Sequence, residues 1–125
     1  MKAAGFTLIE TLVTITVVSV ALLALMALMS GVLNINQRSD TQGQAVLLAQ
    51  REFDSLKRVT PNLLPVSGTQ EQAVTFNGRP FVLRRTYCPV PAYCTVNQRG
   101  VRVEVLSGSA VMFAAETVYT ELRAK

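Results

Sequence analysis

The chain has 125 residues, half of them hydrophobic, and contains no histidine. That length suits one domain, and the missing histidine excludes imidazole acid–base chemistry and histidine metal sites. The net charge is +4, with nine arginines against three lysines, a mild basicity compatible with nucleic acid or an anionic membrane surface that establishes neither.

The apolar excess is concentrated in residues 6–35, and the remainder has an ordinary soluble composition. Residues 11–33 read TLVTITVVSVALLALMALMSGVL, without a charge. A helix needs about 20 apolar residues to cross a bilayer core, whereas the apolar core of a secretory signal peptide runs only about 7–15. Lys2 is the only charged side chain before this segment apart from Glu10, which predicts a cytoplasmic N-terminus. Hydropathy alone is met by a plain signal anchor. Glu10 asks for more, because a charge deep in lipid costs about 2.5–3.5 kcal/mol on insertion scales and usually has a partner. A cut between Gly5 and Phe6 would place an α-amino group on Phe6, of pKa about 8 when unperturbed. That amine would sit one helical turn from Glu10, free to pair with it in the same chain or in a neighbour. Buried polar groups of this kind can specify register between packed helices.

The stretch Gly5-Phe6-Thr7-Leu8-Ile9-Glu10, behind a short lysine-bearing leader and ahead of a long apolar run, resembles the class III signal of type IV pilins and pseudopilins. The resemblance implies that a prepilin peptidase cuts after Gly5 and methylates Phe6, and that Glu10 guides entry into a filament. It covers residues 1 to about 60; beyond that it extends only to general architecture.

The helical pattern need not stop at Arg38: Ile35, Gln42, Val46, Ala49, Phe53 and Leu56 recur at steps of three, four and seven, one face of a helix. Thr60-Pro61 is a stop, since proline pushes its predecessor out of the α region. The reading is one helix over about 6–59, with Gly31 and Gly43 as weak points; the alternative is two helices broken near Asn34–Gly43. The segment AVLLAQREFDSLKR resembles the matching helix of minor pilins and minor pseudopilins, although no proline interrupts the apolar half as it does in many pilins.

Residues 61–72, PNLLPVSGTQEQ, read as a connector. Asn77-Gly78 between Ala73–Phe76 and Arg79–Tyr87 is a hairpin signal. Val101, Val103 and Val105 alternate with Arg102 and Glu104 as a half-buried strand, Ser107-Gly108-Ser109 is a turn, and residues 110–119 form a last strand. The expected fold class is α+β: a long N-terminal helix packed on an antiparallel sheet of three to four strands, pilin-like in plan. The expected divisions are a leader at 1–5, a transmembrane and filament-core helix at 6–35, and a globular part at 36–125.

Cys88 and Cys94 are separated by a proline-rich loop. Redox pairs usually have a two-residue spacing, and a zinc site would need further ligands. Export to an oxidising compartment makes a disulfide the natural outcome; two free buried thiols are the alternative. The acids show no calcium-loop spacing, unlike the major pseudopilin of type II secretion, and no Walker or dinucleotide loop is present. No enzyme activity and no cofactor are expected. Arg84 and Arg102 project from the solvent face of the strands as candidate nucleic-acid contacts, the bland alternative being a solvated face.

The resemblance implies a structural subunit, minor rather than major, of a type IV pilus serving motility, adhesion or DNA uptake. Its partners would be the prepilin peptidase, other pilin or pseudopilin subunits through the helix, and the inner membrane before assembly. A minor pseudopilin of a type II secretion machine is the alternative, and a signal-anchored binding domain a third. After assembly the chain would lie in a periplasm-spanning or cell-surface filament.

Overall fold

The computed structural model describes Gly5 and residues 7–121. Lys2 and Phe6, and with them the charge expected to orient the chain and the residue expected to be methylated, lie outside the described residues. The chain forms two compact units, Met1–Ser39 and Asp40–Lys125.

Helix α1 runs Leu8–Leu56 without interruption, so Gly31, Gly43 and the polar run from Asn34 do not break it. In the first unit its side chains are exposed throughout. Among the described residues it is the one helix long and apolar enough to cross a membrane. The 23 residues from Thr11 to Leu33 rise about 35 Å at 1.5 Å each, against a hydrocarbon core of about 30 Å. The helix stops three residues earlier than Pro61 alone suggests. Lys57 still donates its backbone N–H to Phe53 O at 3.0 Å, but Arg58 and Val59 donate to Ser55 O and Leu56 O, only three residues back. The last turn tightens before Thr60 becomes extended ahead of the proline.

The second unit carries four strands, β1 Gly68–Phe76, β2 Arg79–Tyr87, β3 Gln98–Ser107 and β4 Ala110–Thr120. They form an antiparallel meander in chain order. Asn77 and Gly78 both take positive φ, 48° and 77°, which is why Asn-Gly closes the first hairpin. The connector is shorter than its composition predicts. Residues 68–72 belong to β1, because Thr69 to Gln72 lie opposite Leu83 to Thr86 and the ladder overrides their polar character. The connector itself holds a short 3₁₀ turn at Pro61–Leu63.

On β2 and β3 the core is a layer of mostly odd-numbered residues. Phe81, Leu83, Val101, Val103 and Val105 are fully buried and meet Ala45, Leu48, Ala49 and Leu56 of α1. Each of the valine, leucine and phenylalanine side chains among them is worth about 1.5–3 kcal/mol when buried. The helix stripe differs from the one the spacing predicts: Ile35 and Gln42 are exposed, Val46 and Phe53 half-buried, and the centre falls on the two alanines.

Ion pairs show how α1 lies on the sheet within this unit. Arg79 at the start of β2 bonds Asp40 at 2.8 Å and also reaches the Thr41 hydroxyl. Arg85 near the end of β2 bonds Glu52. The stretch 40–52 therefore follows β2, and its last turn reaches β4, where the Tyr119 hydroxyl donates to Phe53 O at 3.1 Å. Strand β1 lies outside this cover. Of its helix-side residues, Gln70 and Gln72 are exposed, and Val74 and Phe76 only half-buried.

Candidate functional site

At the N-terminal end, Gly5 is exposed and Thr7 precedes the helix as an acceptor, its carbonyl taking the N–H groups of Glu10 at 3.0 Å and Thr11 at 3.3 Å. Glu10 stands in the first turn, where unpaired N–H groups favour a carboxylate. It is exposed, and no other ionisable residue follows until Arg38. The hydroxyls of the apolar segment are all satisfied inside the helix. Thr11 donates to Leu8 O at 2.8 Å, Thr14 to Thr11 O at 2.9 Å, Thr16 to Leu12 O at 2.8 Å, Ser19 to Ile15 O at 2.7 Å and Ser30 to Ala27 O at 2.9 Å. Such back-bonding removes the need for water and suits a helix in hydrocarbon, where each unsatisfied polar group costs several kcal/mol. Glu10 is thus the single polar side chain between Leu8 and Leu33 whose needs lie outside the helix.

Arg84 and Arg102 do project from the sheet face opposite α1, but neither is a free cation. Arg84 Nε donates to Glu71 Oε1 at 2.7 Å on β1, and its Nη1 to Glu104 Oε2 at 3.4 Å on β3. The Glu71 hydrogen bond is the main cause that raises the Arg84 pKa above its usual value. Arg102 Nη2 donates to Glu116 Oε2 at 3.3 Å on β4. The register that sets Glu71, Arg84 and Glu104 side by side makes an alternating row across three strands. Two arginines among three carboxylates give this face no cationic excess.

Cys88 and Cys94 are joined by a disulfide, with their Cα atoms 5.8 Å apart. Cys88 sits at φ 54° and donates its N–H to Gly100 O at 2.8 Å, which anchors the loop on β3. Beyond the loop, Arg99 is the second residue of β3. Arg99 is buried, and its Nη1 donates to Thr95 O and to Gln98 O, the latter at 2.9 Å. Its Nε has no acceptor among the described residues.

Sequence reasoning missed the two clamps between helix and sheet, Arg79–Asp40 and Arg85–Glu52. Their signal was the odd-numbered arginines of β2, which the alternation places on the same side as Phe81 and Leu83. Arg85 also donates to Gln72 Oε1 at 3.0 Å. The carboxylates of this region act on the phenols. Desolvation, aided by Glu52 and Asp54, pushes the Tyr119 pKa up to about 12; Tyr87 is also raised, first by desolvation. Among the described residues no three His, Cys, Asp or Glu side chains group as metal ligands.

Residues 1–31 match the family model described as the prokaryotic N-terminal methylation motif. No characterised protein and no solved structure matches the chain.

Proposed function

A chain that carries this methylation signal belongs with the type IV pilin-like precursors, and from that premise we propose that it is a minor structural subunit of a type IV pilus. It waits in the inner membrane with its N-terminus in the cytoplasm. The prepilin peptidase cuts after Gly5 and methylates Phe6, and the helix then moves into a filament alongside those of other subunits. Glu10 guides that entry by pairing with the new N-terminal amine of a neighbouring subunit. The supporting observation is the make-up of the helix start: a glycine, then a membrane-length apolar segment whose one side chain in need of an outside partner is the first-turn carboxylate. The family is one of structural subunits, so the chemistry belongs to the peptidase.

The test is the intact mass and N-terminal sequence of the protein from its native host membranes. A chain beginning at methylated Phe6 is expected. A chain beginning at Met1, in a host that processes its other pilins, would overturn the reading. Deletion of the gene separates the two machines the helix could serve: loss of pili fits the proposal, and loss of protein secretion with pili intact would assign a minor pseudopilin instead. Nucleic-acid contact through Arg84 and Arg102 would require their carboxylate pairs to open, and nothing on that face favours it.

A further inference from the structure

Two unpartnered features of the second unit complement each other. The first is a groove on the uncovered side of β1. Its floor is Leu48 of α1 with Val74, Phe76 and Leu83 of the sheet, and Arg51 stands at its rim. The volume is about 280 Å³, room for side chains rather than for one water, whose share of the liquid is about 30 Å³. Arg51 makes no ion pair among the described residues: the nearest carboxylate along the helix, Asp54, pairs with Lys57, and Glu52 is held by Arg85. The walls are polar, with Ser55 and Gln72 above the apolar floor, and such a mixed trough with a free guanidinium at its edge asks for a carboxylate beside a small apolar group.

The second feature has that composition. At the end of the sheet where β4 finishes, Glu121 ties two loops together. Its backbone N–H donates to Asn97 O at 3.0 Å, and its Oε2 accepts from Asn62 Nδ2 at 3.3 Å. Next to those two asparagines stand Leu63 and Val96, each 77% exposed. Pro61 precedes one and the disulfide loop the other, so both are carried on stiff backbone. The result is a pair of apolar knobs with a carboxylate between them.

We infer that the Leu63–Val96–Glu121 knob of one copy of this chain docks into the Leu48–Val74–Phe76 groove of a second copy, with Glu121 meeting Arg51. The contact joins two different patches, so it is head to tail and does not close on itself, the symmetry of a filament rather than of a dimer. It rests on the filament reading above and goes beyond it: copies enter in short runs, touching one another, rather than singly.

The test uses two full-length variants co-expressed in the native host with different tags. Leu63→Cys labels the knob, and Ser55→Cys, exposed at the groove, labels the hole. A short bismaleimide should give a mixed dimer in the co-expressing strain and no dimer from either variant alone. Adding Arg51→Glu should lower the yield about tenfold, the loss expected for about 1.4 kcal/mol, and adding Glu121→Arg as well should restore it. Processed chains that give no mixed dimer, or a cross-link only to a different protein, would overturn the contact while leaving the filament reading intact. Dimers from a single variant would overturn the head-to-tail arrangement. Chains still beginning at Met1 would overturn the filament reading and this contact with it.

Discussion

Arg85 and Glu52 are the more buried of the two ion pairs that hold α1 against the sheet, and their removal one at a time should differ sharply from their removal together. Their side chains are only 17% and 14% exposed, so both have given up most of their water. Replacing Arg85 with Met keeps the stem's packing but strands the Glu52 carboxylate, and also leaves Gln72 Oε1 without its donor. Breaking a buried pair in this way costs about 3–5 kcal/mol. The partial exposure of Glu52 favours the lower end, about 3 kcal/mol. In a unit of this size each kcal/mol moves the midpoint by about 4–8 °C, which gives a fall of about 12–24 °C. The double variant Glu52→Leu/Arg85→Met leaves no stranded charge and should return to within about 1 kcal/mol of the parent, since apolar replacement of a buried pair is often neutral. The assay is thermal unfolding of the full chain in detergent, followed by far-ultraviolet circular dichroism, with all three variants in one cycle. If Arg85→Met alone shifts the midpoint by less than about 4 °C, the pair is solvated in solution and the reasoning fails.

Three further outcomes are expected. The Tyr119 phenol should be the last tyrosine to ionise, near pH 12, and its raised pKa sets the sign: the stability it contributes is complete below about pH 10, its unfolded value, and is lost as pH rises towards 12. Absorbance at 295 nm should lose its highest step in Tyr119→Phe, and titration of all three tyrosines together near 10 would refute this. Replacing both Cys88 and Cys94 with Ser opens a loop of seven residues, worth about 2.4 kcal/mol by loop-closure entropy; the midpoint should fall by about 10–19 °C, and an unchanged midpoint would show that the loop is held without the bond. Because Arg84 and Arg102 are already paired, Arg84→Ala/Arg102→Ala should leave any affinity for duplex DNA and its salt slope unchanged; a slope reduced by one or two would return the sheet face to the list of phosphate contacts.

Composition carried the first half of the molecule, because a membrane-length apolar run with one acid at its head has few alternatives. The alternating valines of β3 and the Asn-Gly turn carried most of the sheet for a similar local reason. The start of β1 was not legible: Gly68 to Gln72 hold no apolar residue, and only their opposition to β2 makes them a strand. The helix stripe was half legible. Period alone cannot distinguish Gln42 and Val46 from Ala45 and Leu48; the face that carries Ala45 and Leu48 is the one buried, with Arg79 and Arg85 bonded to Asp40 and Glu52 beside it. The pairing of Arg84 and Arg102 depends on a register set by two hairpins. Their outward direction could be read from alternation, but their neutralisation could not.

The hydroxyls of Thr11, Thr14, Thr16, Ser19 and Ser30, each bonded back to its own helix, bear on what leaving the bilayer would demand. A segment whose hydrogen bonds are all internal does not distinguish lipid tails from the side chains of its neighbours, since both are dry and neither has anything to offer its backbone. Moving between them exchanges one apolar surface for another at nearly constant free energy, which makes the passage reversible. On the filament reading proposed above, the direction would then come from Glu10, the one charged side chain between Leu8 and Leu33, so a single carboxylate would set whether the helix is stored or spent in a fibre.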